Sequence, residues 1–196
     1  QSNHIITTKE LAEGHEFSVN VICIEDLKSD LDNDFEIKRN PDDMFAVYFT
    51  SGTTGVPKGV MVTNYLVQGL AASIKSTFNI SSGDTTGIFP SFSFMISVRL
   101  FAGFIYGESC RIFNEKEQKD LLAVIKVLEE HEMNDLIVPP SIGIPLIEEG
   151  NLKLDILVLG GAELNKIPKK ICSTKLLNAY GTTEFLISLI KSYNLV

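Results

Sequence analysis

Short apolar runs alternate with segments of helical periodicity along most of this 196-residue chain, and this alternation constrains the fold more than any other feature. Apolar runs lie at residues 44–49, 136–138 and 154–159, and residues 64–78 and 121–128 carry apolar side chains at helical spacing. Strands that alternate with helices are typical of a parallel sheet joined by crossover helices. We therefore predict an α/β fold with a mostly parallel sheet.

The remaining elements are predicted from the same patterns. Strands are expected at residues 4–7, 19–24, 88–90, 111–113 and 176–177, and helices at residues 8–14, 95–105 and 168–172. The helix at 64–78 carries Leu66, Leu70 and Ile74 on one face, and Asp120 is expected to cap the helix after it. Residues 26–43 are acidic and are interpreted as a surface linker, with one short strand at 35–37.

Four unusual turn segments follow predicted strands, after Phe49, Val138, Leu159 and Leu177. In parallel sheets, ligands bind beyond the carboxyl ends of the strands. We therefore expect all four segments to lie at that edge of the sheet.

The most specific of these segments reads YFTSGTTGVPKGV over residues 48–60. Its glycines let the backbone approach a ligand, its hydroxyl residues add hydrogen-bond donors, and Lys58 supplies a charge for phosphate oxygens. A Walker A loop needs Gly directly before the Lys, whereas Pro57 precedes Lys58 here, so the P-loop NTPase class is excluded.

This string resembles the phosphate loop of the adenylate-forming family, which includes acyl-CoA synthetases, luciferases and the adenylation domains of nonribosomal peptide synthetases. The resemblance implies that the loop holds the β- and γ-phosphates of ATP. The residues carried over are Thr50, Ser51, Gly52, Thr53, Thr54, Gly55 and Lys58.

A second segment, NAYGTTE at residues 178–184, is similar to another core motif of the same family. The resemblance implies that Tyr180 lies against adenine, Asn178 bonds the base, Thr183 contacts the α-phosphate and Glu184 binds Mg²⁺, a metal that prefers oxygen ligands. Thr182 stands where many relatives carry Pro. A weaker match at residues 160–164 implies further adenine contacts, and the whole adenine set is Gly161, Ala162, Glu163, Asn178, Ala179, Tyr180 and Gly181.

The segment predicted to contact the carboxylic acid differs from the corresponding motif of relatives that load amino acids. Those relatives carry Phe-Asp-x-Ser, in which the Asp pairs with the α-ammonium of the substrate, and here the segment is Phe94-Met95-Ile96-Ser97. An ammonium buried against Met95 would be an unpaired charge, so we expect the acid not to be an ordinary α-amino acid. The pocket candidates are Phe94, Met95, Ile96, Arg99, Val158, Gly160, Ile187 and Ser188.

Arg99 has two interpretations at this stage. It faces the pocket and accepts an anionic group of the acid, or it makes a helix-surface contact or a structural ion pair, and the general behaviour of such residues favours the second.

Composition narrows the classes of partner. The net charge of −8 and a pI near 4.9 argue against nucleic acid and against an anionic membrane surface, because both require clustered Lys and Arg. Residues 88–105 are apolar, but Arg99 in their middle favours a buried helix over a membrane span. Three scattered cysteines fit reduced thiols, so a cytoplasmic protein is expected.

The resemblance implies an enzyme that uses ATP and Mg²⁺ to convert a carboxylic acid into an acyl-adenylate, with release of pyrophosphate. The acyl group then passes to a thiol, on the phosphopantetheine of a carrier protein or on coenzyme A. We expect residues 4–196 to be part of the N-terminal domain, and residues 1–3 to be a cloning remnant. The catalytic lysine of the family belongs to a C-terminal lid domain, so we expect no catalytic residue in this segment and little adenylation by it alone.

Two alternatives stay open. The apolar segment at residues 94–96 also suits an acyl-CoA or aryl-CoA ligase, although the motif at 178–180 and the helix after Phe94 favour the peptide-synthetase type. A non-catalytic nucleotide-binding module is an alternative of another class. The presence of Lys58, Thr183 and Glu184 favours an enzyme over such a module.

Overall fold

The computed structural model describes residues 3–27, 38–50, 55–149, 152–168 and 174–193, with the backbone alone for residues 186–189. The chain divides into two compact units, Gln1–Arg39 and Asn40–Val196.

The first unit contains a parallel strand pair, β1 (His4–Thr7) and β2 (Asn20–Cys23), connected through helix α1 (Lys9–Ala12). The hydroxyl of Thr8 caps α1 by accepting a hydrogen bond from the backbone N–H of Leu11 at 3.2 Å. The elements predicted for this region are confirmed within two residues. The strand predicted at 35–37 lies outside the described residues.

The main sheet of the second unit is mostly parallel, as predicted. Its strands in the described part of the chain are β5 (Thr85–Ile88), β6 (Ser109–Ile112), β7 (Asp135–Val138), β8 (Ile156–Leu159), β9 (Lys175–Thr182) and β10 (Leu186–Tyr193). Their spatial order is β10-β9-β8-β7-β5-β6, and only the β9–β10 pair is antiparallel. Strand β10 was not predicted, and it forms an antiparallel edge on a parallel sheet.

Helices of this unit connect the strands and cover the sheet. They are α2 (Asn64–Phe78), α3 (Val98–Phe104), α4 (Glu115–Gln118), α5 (Leu121–Glu130) and α6 (Pro140–Glu149). Asp120 caps α5 as predicted. Helix α6 was not predicted, because two prolines follow β7. Pro140 is tolerated as the first helical residue, since the N–H it lacks would have no intrahelical partner there.

The bounds of α2 match the prediction, and its predicted apolar face is buried in part. The helix buries Val67, Ala71, Ile74 and Phe78, whereas Leu66 is 40% exposed. Ile74 belongs to both the predicted apolar face and the buried face. Packing selects the other buried residues, because apolar side chains cover more than one side of α2.

Strands β3 (Met44–Thr50) and β4 (Lys58–Thr63) form an antiparallel pair that is separate from the main sheet in the described part of the chain. The segment after Phe49 is therefore the connection of a hairpin. The expected membership of β3 in the parallel sheet is wrong, since a short apolar run does not reveal which strand will pair with it.

Strands β7 and β8 are buried on both faces, as expected for the centre of a parallel sheet covered by helices. Alternate residues point to opposite sides. Leu136, Val138, Leu157 and Leu159 join one apolar cluster, and Ile137, Ile156 and Val158 join another with α2 and α3. No helix in the described ranges is long and apolar enough to cross a membrane.

Candidate nucleotide and acid site

The phosphate loop connects the end of β3 to the start of β4, and these two strand ends pair with each other. Thr50 is the last residue of β3 and pairs with Lys58, the first of β4. The Thr50 hydroxyl donates to the Lys58 carbonyl at 3.5 Å, and the Lys58 side chain is exposed. Gly55 has φ of 80°, a left-handed conformation that favours glycine. The predicted contacts Ser51, Gly52, Thr53 and Thr54 lie outside the described residues.

The hairpin is attached to helices α2 and α3 through an apolar cluster. Tyr48 and Val62 from the hairpin pack with Val67 and Val98, and Met95 packs against the same group. The hydroxyls of Tyr48 and Ser97 lie 2.8 Å apart inside this contact. The phosphate-loop hairpin is thereby joined to the segment that carries the predicted acid contacts.

The predicted adenine motif is a strand, not a turn. Residues 178–182 are the last five residues of β9 and pair with β10, where Tyr180 lies opposite Leu189. Thr183 and Glu184 lie in the turn that joins the two strands, which the Phe185 N–H closes by donating to the Thr182 carbonyl at 3.2 Å. The Tyr180 side chain is 64% exposed and is therefore open to an aromatic ligand.

The two predicted adenine segments lie side by side. Strands β8 and β9 are parallel neighbours in which Leu159 pairs with Asn178, so the turn after β8 begins beside the motif on β9. A Cβ placed on Gly160 would lie 3.4 Å from the Ala179 carbonyl oxygen. Gly161 has φ of 79°, and Ala162 and Glu163 are exposed beyond it. Segments that are distant in sequence thus form one surface.

The candidate acid contacts divide between two packing groups. Ile96 and Ala179 pack against a cluster that contains the fully buried Val158, whereas Met95 packs against the hairpin cluster. Phe94 is exposed. Ile187 lies on β10 opposite Gly181, and Ser188 lies at a shift in the strand register.

Arg99 does not line an acid pocket, and its assignment there is wrong. Its side chain is 1% exposed, and its guanidinium contacts both carboxylate oxygens of Glu108 and both of Asp135. The Thr86 hydroxyl also donates to Asp135 at 3.1 Å. The alternative interpretation, that Arg99 forms a structural ion pair, is confirmed. Its partners could not be inferred from local sequence because they lie on other elements.

Burial is the largest single influence on the pKa of Asp135 and on that of Arg99. It raises the pKa of Asp135 to about 6, against the attraction of Arg99 and the hydrogen bond from Thr86. Burial also lowers the pKa of the Arg99 guanidinium, but the hydrogen bonds and charges of Glu108 and Asp135 outweigh it and leave that pKa raised. One arginine faces two carboxylates, and this excess of negative charge favours a proton on the cluster.

The oxygen-bearing side chains at the end of β9 are suited to binding a nucleotide together with Mg²⁺. No group of three or more His, Cys, Asp or Glu side chains that could hold a metal occurs among the described residues, and Glu184 offers one exposed carboxylate. Mg²⁺ is commonly held by one or two carboxylates together with substrate phosphates. The Thr182 hydroxyl oxygen is buried and has no hydrogen-bond partner in the described part of the chain. Such an atom suits a site that gains a partner when a ligand binds.

Sequence patterns assigned no role to Tyr48, Ser97, Glu108 or Asp135. Tyr48 and Ser97 lie in recognised motifs. Each is a polar residue beside apolar neighbours, and this pattern was the signal that could have indicated a buried hydrogen bond. Glu108 and Asp135 carry no motif. Only their burial in the fold shows that they act as partners of Arg99.

Comparison with known proteins gives a family match over nearly the whole chain. The sequence pattern of the AMP-binding enzyme family matches residues 3–194. Tyrocidine synthase 1 from Brevibacillus parabrevis is 29% identical over 195 residues, which cover 94% of this chain and 18% of that protein. The chain therefore spans a small part of this relative.

Solved structures share the fold at low sequence identity. The N-terminal subdomain of NpsA from Klebsiella oxytoca, in complex with 3-hydroxybenzoyl-AMSN, has a TM-score of 0.78 at 18% identity, covering 98% of this chain and 51% of that one. The O-succinylbenzoate coenzyme A synthetase from Bacillus subtilis, in complex with ATP and magnesium ion, has a TM-score of 0.77 at 22% identity, covering 97% and 42%. With the family match over residues 3–194, this chain belongs to the AMP-binding enzyme family.

Proposed function

We propose that the whole protein activates a carboxylic acid with ATP, forming an acyl-adenylate and pyrophosphate. The observation that carries the proposal is the side-by-side position of the turn at Gly160 and the motif at Ala179, within a chain of the AMP-binding enzyme family. These segments are the ones to which the family resemblance gives adenine contacts. The solved relatives in complex with ATP and with an acyl-AMSN support the same substrate class.

In this proposal the chain's residues bind and orient ATP. The exposed ring of Tyr180 stacks on adenine, Asn178 bonds the base, and the hairpin loop with Lys58 holds the β- and γ-phosphates. Thr183 contacts the α-phosphate. Glu184 holds Mg²⁺, which when bound neutralises charge on the phosphate oxygens.

The reaction is a displacement at phosphorus. A carboxylate oxygen of the acid attacks the α-phosphorus of ATP, the bond from that phosphorus to the bridging oxygen breaks, and pyrophosphate leaves with the electron pair. Lys58 and backbone N–H groups of the loop stabilise the charge that develops on the leaving phosphates. The chain contributes mainly positioning and charge neutralisation.

We further propose that the acid is not an ordinary α-amino acid. Met95 stands where relatives that load amino acids carry the aspartate, and its side chain packs against an apolar cluster. Arg99 is occupied by Glu108 and Asp135 and so does not select an anionic substituent. An aromatic or other acid without an α-ammonium fits this segment, in line with the 3-hydroxybenzoyl group in the NpsA complex.

The test is ATP–pyrophosphate exchange by the whole protein over a panel of acids that includes benzoate, 3-hydroxybenzoate and the common α-amino acids. We expect exchange with an acid that lacks an α-ammonium. Lys58→Ala is expected to reduce kcat/KM for ATP by about 10²-fold or more, because a charge that stabilises the transferring phosphates is lost.

Lys126→Ala is the matched control, since Lys126 is an exposed lysine on α5 away from the motifs, and it should leave exchange unchanged. Robust exchange with a simple α-amino acid would contradict the proposal about the acid. An equal rate in Lys58→Ala and in the unsubstituted protein would remove the role given to the hairpin. Binding of Mg-ATP without exchange on any acid would favour a non-catalytic nucleotide-binding module.

The acceptor and the location belong to the same proposal. We propose a carrier-protein thiol as acceptor, supported by the similarity to tyrocidine synthase 1, with coenzyme A as the alternative supported by the fold of the coenzyme A synthetase. A cytoplasmic location is proposed from the scattered cysteines, of which Cys23 and Cys110 are free thiols.

A further inference from the structure

A buried hydrogen bond joins the phosphate-loop hairpin to the acid-facing segment. The Tyr48 hydroxyl, on β3 two residues before Thr50, lies 2.8 Å from the Ser97 hydroxyl. Ser97 ends the short 3₁₀ turn Met95–Ser97 that leads into α3. Tyr48 is 7% exposed and Ser97 is 2% exposed, so this bond lies in the interior.

The donors and acceptors give the bond a direction. The Ser97 hydroxyl donates its single proton to the Phe92 carbonyl at 3.2 Å, so Ser97 must accept from Tyr48. The result is a relay that runs from the Tyr48 hydroxyl through Ser97 to the backbone of the 92–97 segment. Hydrogen bonds in series polarise one another where the surroundings are apolar.

The surroundings of the relay are apolar. Tyr48, Val62, Val67 and Val98 form the cluster around it, and Met95 packs against that cluster. A hydroxyl left without its partner in such a place loses free energy. The hairpin and the 92–97 segment therefore keep one relative position while the relay is intact.

This inference rests on the proposed function, under which the two ends of the relay lie next to segments that bind different ligands. Thr50 and Lys58, at the base of the phosphate loop, follow Tyr48 along the hairpin. Phe94, Met95 and Ile96, the proposed acid contacts, lie between Phe92 and Ser97. We propose that Tyr48 and Ser97 are positioning residues that couple the phosphate loop to the acid-facing segment, so that occupancy by Mg-ATP orders residues 92–97 for the acid.

Backbone amides in the segment can report this coupling. The Phe94 N–H donates to the Ser91 carbonyl and the Ser97 N–H donates to the Phe94 carbonyl, both at 3.0 Å. Their rate of hydrogen exchange measures how often the turn opens. The experiment is hydrogen–deuterium exchange of the whole protein with and without Mg²⁺ and the ATP analogue AMPPNP, which requires neither turnover nor knowledge of the acid.

In the unsubstituted protein we expect AMPPNP to slow exchange at residues 50–58 and, roughly fivefold or more, at residues 92–97. Tyr48→Phe keeps the ring and removes only the hydroxyl. It should retain slowing at 50–58 but lose it at 92–97. Ser97→Ala breaks the relay from the other side and should behave the same way, while Ser97→Thr, which keeps a hydroxyl, should restore the slowing.

Tyr65→Phe is the matched control, because Tyr65 is an exposed tyrosine on α2, and it should behave as the unsubstituted protein. Exchange at β7 and β8 reports whether each variant is folded. Absence of slowing at 50–58 in the unsubstituted protein contradicts the proposed function. Slowing at 50–58 without slowing at 92–97 contradicts the coupling alone, as does slowing at 92–97 that persists in the folded Tyr48→Phe and Ser97→Ala variants.

Discussion

At the scale of single residues, the ion cluster around Arg99 places three charged side chains in the protein interior. Arg99 lies between Glu108 and Asp135 with no solvent to screen the charges. Gly103 leaves room for them, because a Cβ there would lie 1.9 Å from a carboxylate oxygen of Glu108. The cluster holds α3 against β7, and α3 carries the acid-facing turn at its beginning.

The raised pKa of Asp135 makes the stability of the fold depend on pH. Its pKa is about 6 in the folded protein and about 4 in an unfolded chain, so between these values the folded state binds the additional proton. Stability from this group is therefore fully present below about pH 4 and is lost as the pH rises through 6. As the pH rises through this window, the free energy of unfolding of the unsubstituted protein should fall relative to that of the Asp135→Asn variant. The expected difference is at most roughly 1 kcal/mol per pH unit.

Urea unfolding of both proteins at pH 4, 5, 6 and 7 measures this difference. Asp42→Asn is the control, because Asp42 is exposed and its substitution should leave the pH profile unchanged. Parallel profiles for Asp135→Asn and the unsubstituted protein would show that Asp135 is already charged at pH 4.

At the scale of elements, two helical glycines show how packing overrides helix propensity. Gly143 lies in α6, and a Cβ there would lie 2.1 Å from Leu159 Cδ2 and 3.0 Å from Val138 Cγ2. Gly69 lies in α2, and a Cβ there meets no atom within 4 Å. Both positions would favour Ala by propensity alone, but only Gly69 has the space.

The two substitutions are therefore expected to have opposite signs. Gly143→Ala should destabilise the fold by about 1–3 kcal/mol, since α6 must move away from β7 and β8. Gly69→Ala should stabilise it by roughly 0.5–1 kcal/mol. Urea midpoints of the two variants at one pH measure both effects. A stabilised Gly143→Ala would mean that α6 packs less closely than the structure has it.

At the scale of the whole molecule, the candidate site is assembled from parts that are distant in sequence. The hairpin with Lys58 is joined to the segment before α3 through the Tyr48–Ser97 contact, and the turn at Gly160 lies beside β9 through the sheet order. These parts carry the residues that we propose to contact the nucleotide.

We expect the acyl group to pass to a phosphopantetheinylated carrier protein in preference to coenzyme A. The sequence similarity to tyrocidine synthase 1 supports this direction. The whole protein is incubated with ATP, Mg²⁺ and the acid that supports exchange, together with either acceptor, and the thioester is measured by mass spectrometry. Acyl-coenzyme A formed as fast as the acyl-carrier would identify an acyl-CoA or aryl-CoA ligase instead.

Local sequence predicted most elements because each is determined by near neighbours. Helix α2 was placed at its observed bounds, and Asp120 was identified as the cap of α5. Strand β9 was predicted too short. Its last residues resemble a polar turn, and they are held in the sheet by pairing with β10. Helix α6 was missed because two prolines suggested a stop.

The sequence by itself determined the α/β class and the family, and it indicated the segments that we propose to bind a nucleotide, because short-range periodicity and motif identity are properties of contiguous residues. Only the tertiary structure decided which strands pair, that β3 belongs to a hairpin, that Arg99 is neutralised internally, and that Tyr48 reaches Ser97. These contacts join residues that are distant along the chain. Their partners are chosen by the packing of the whole fold, which no local pattern records.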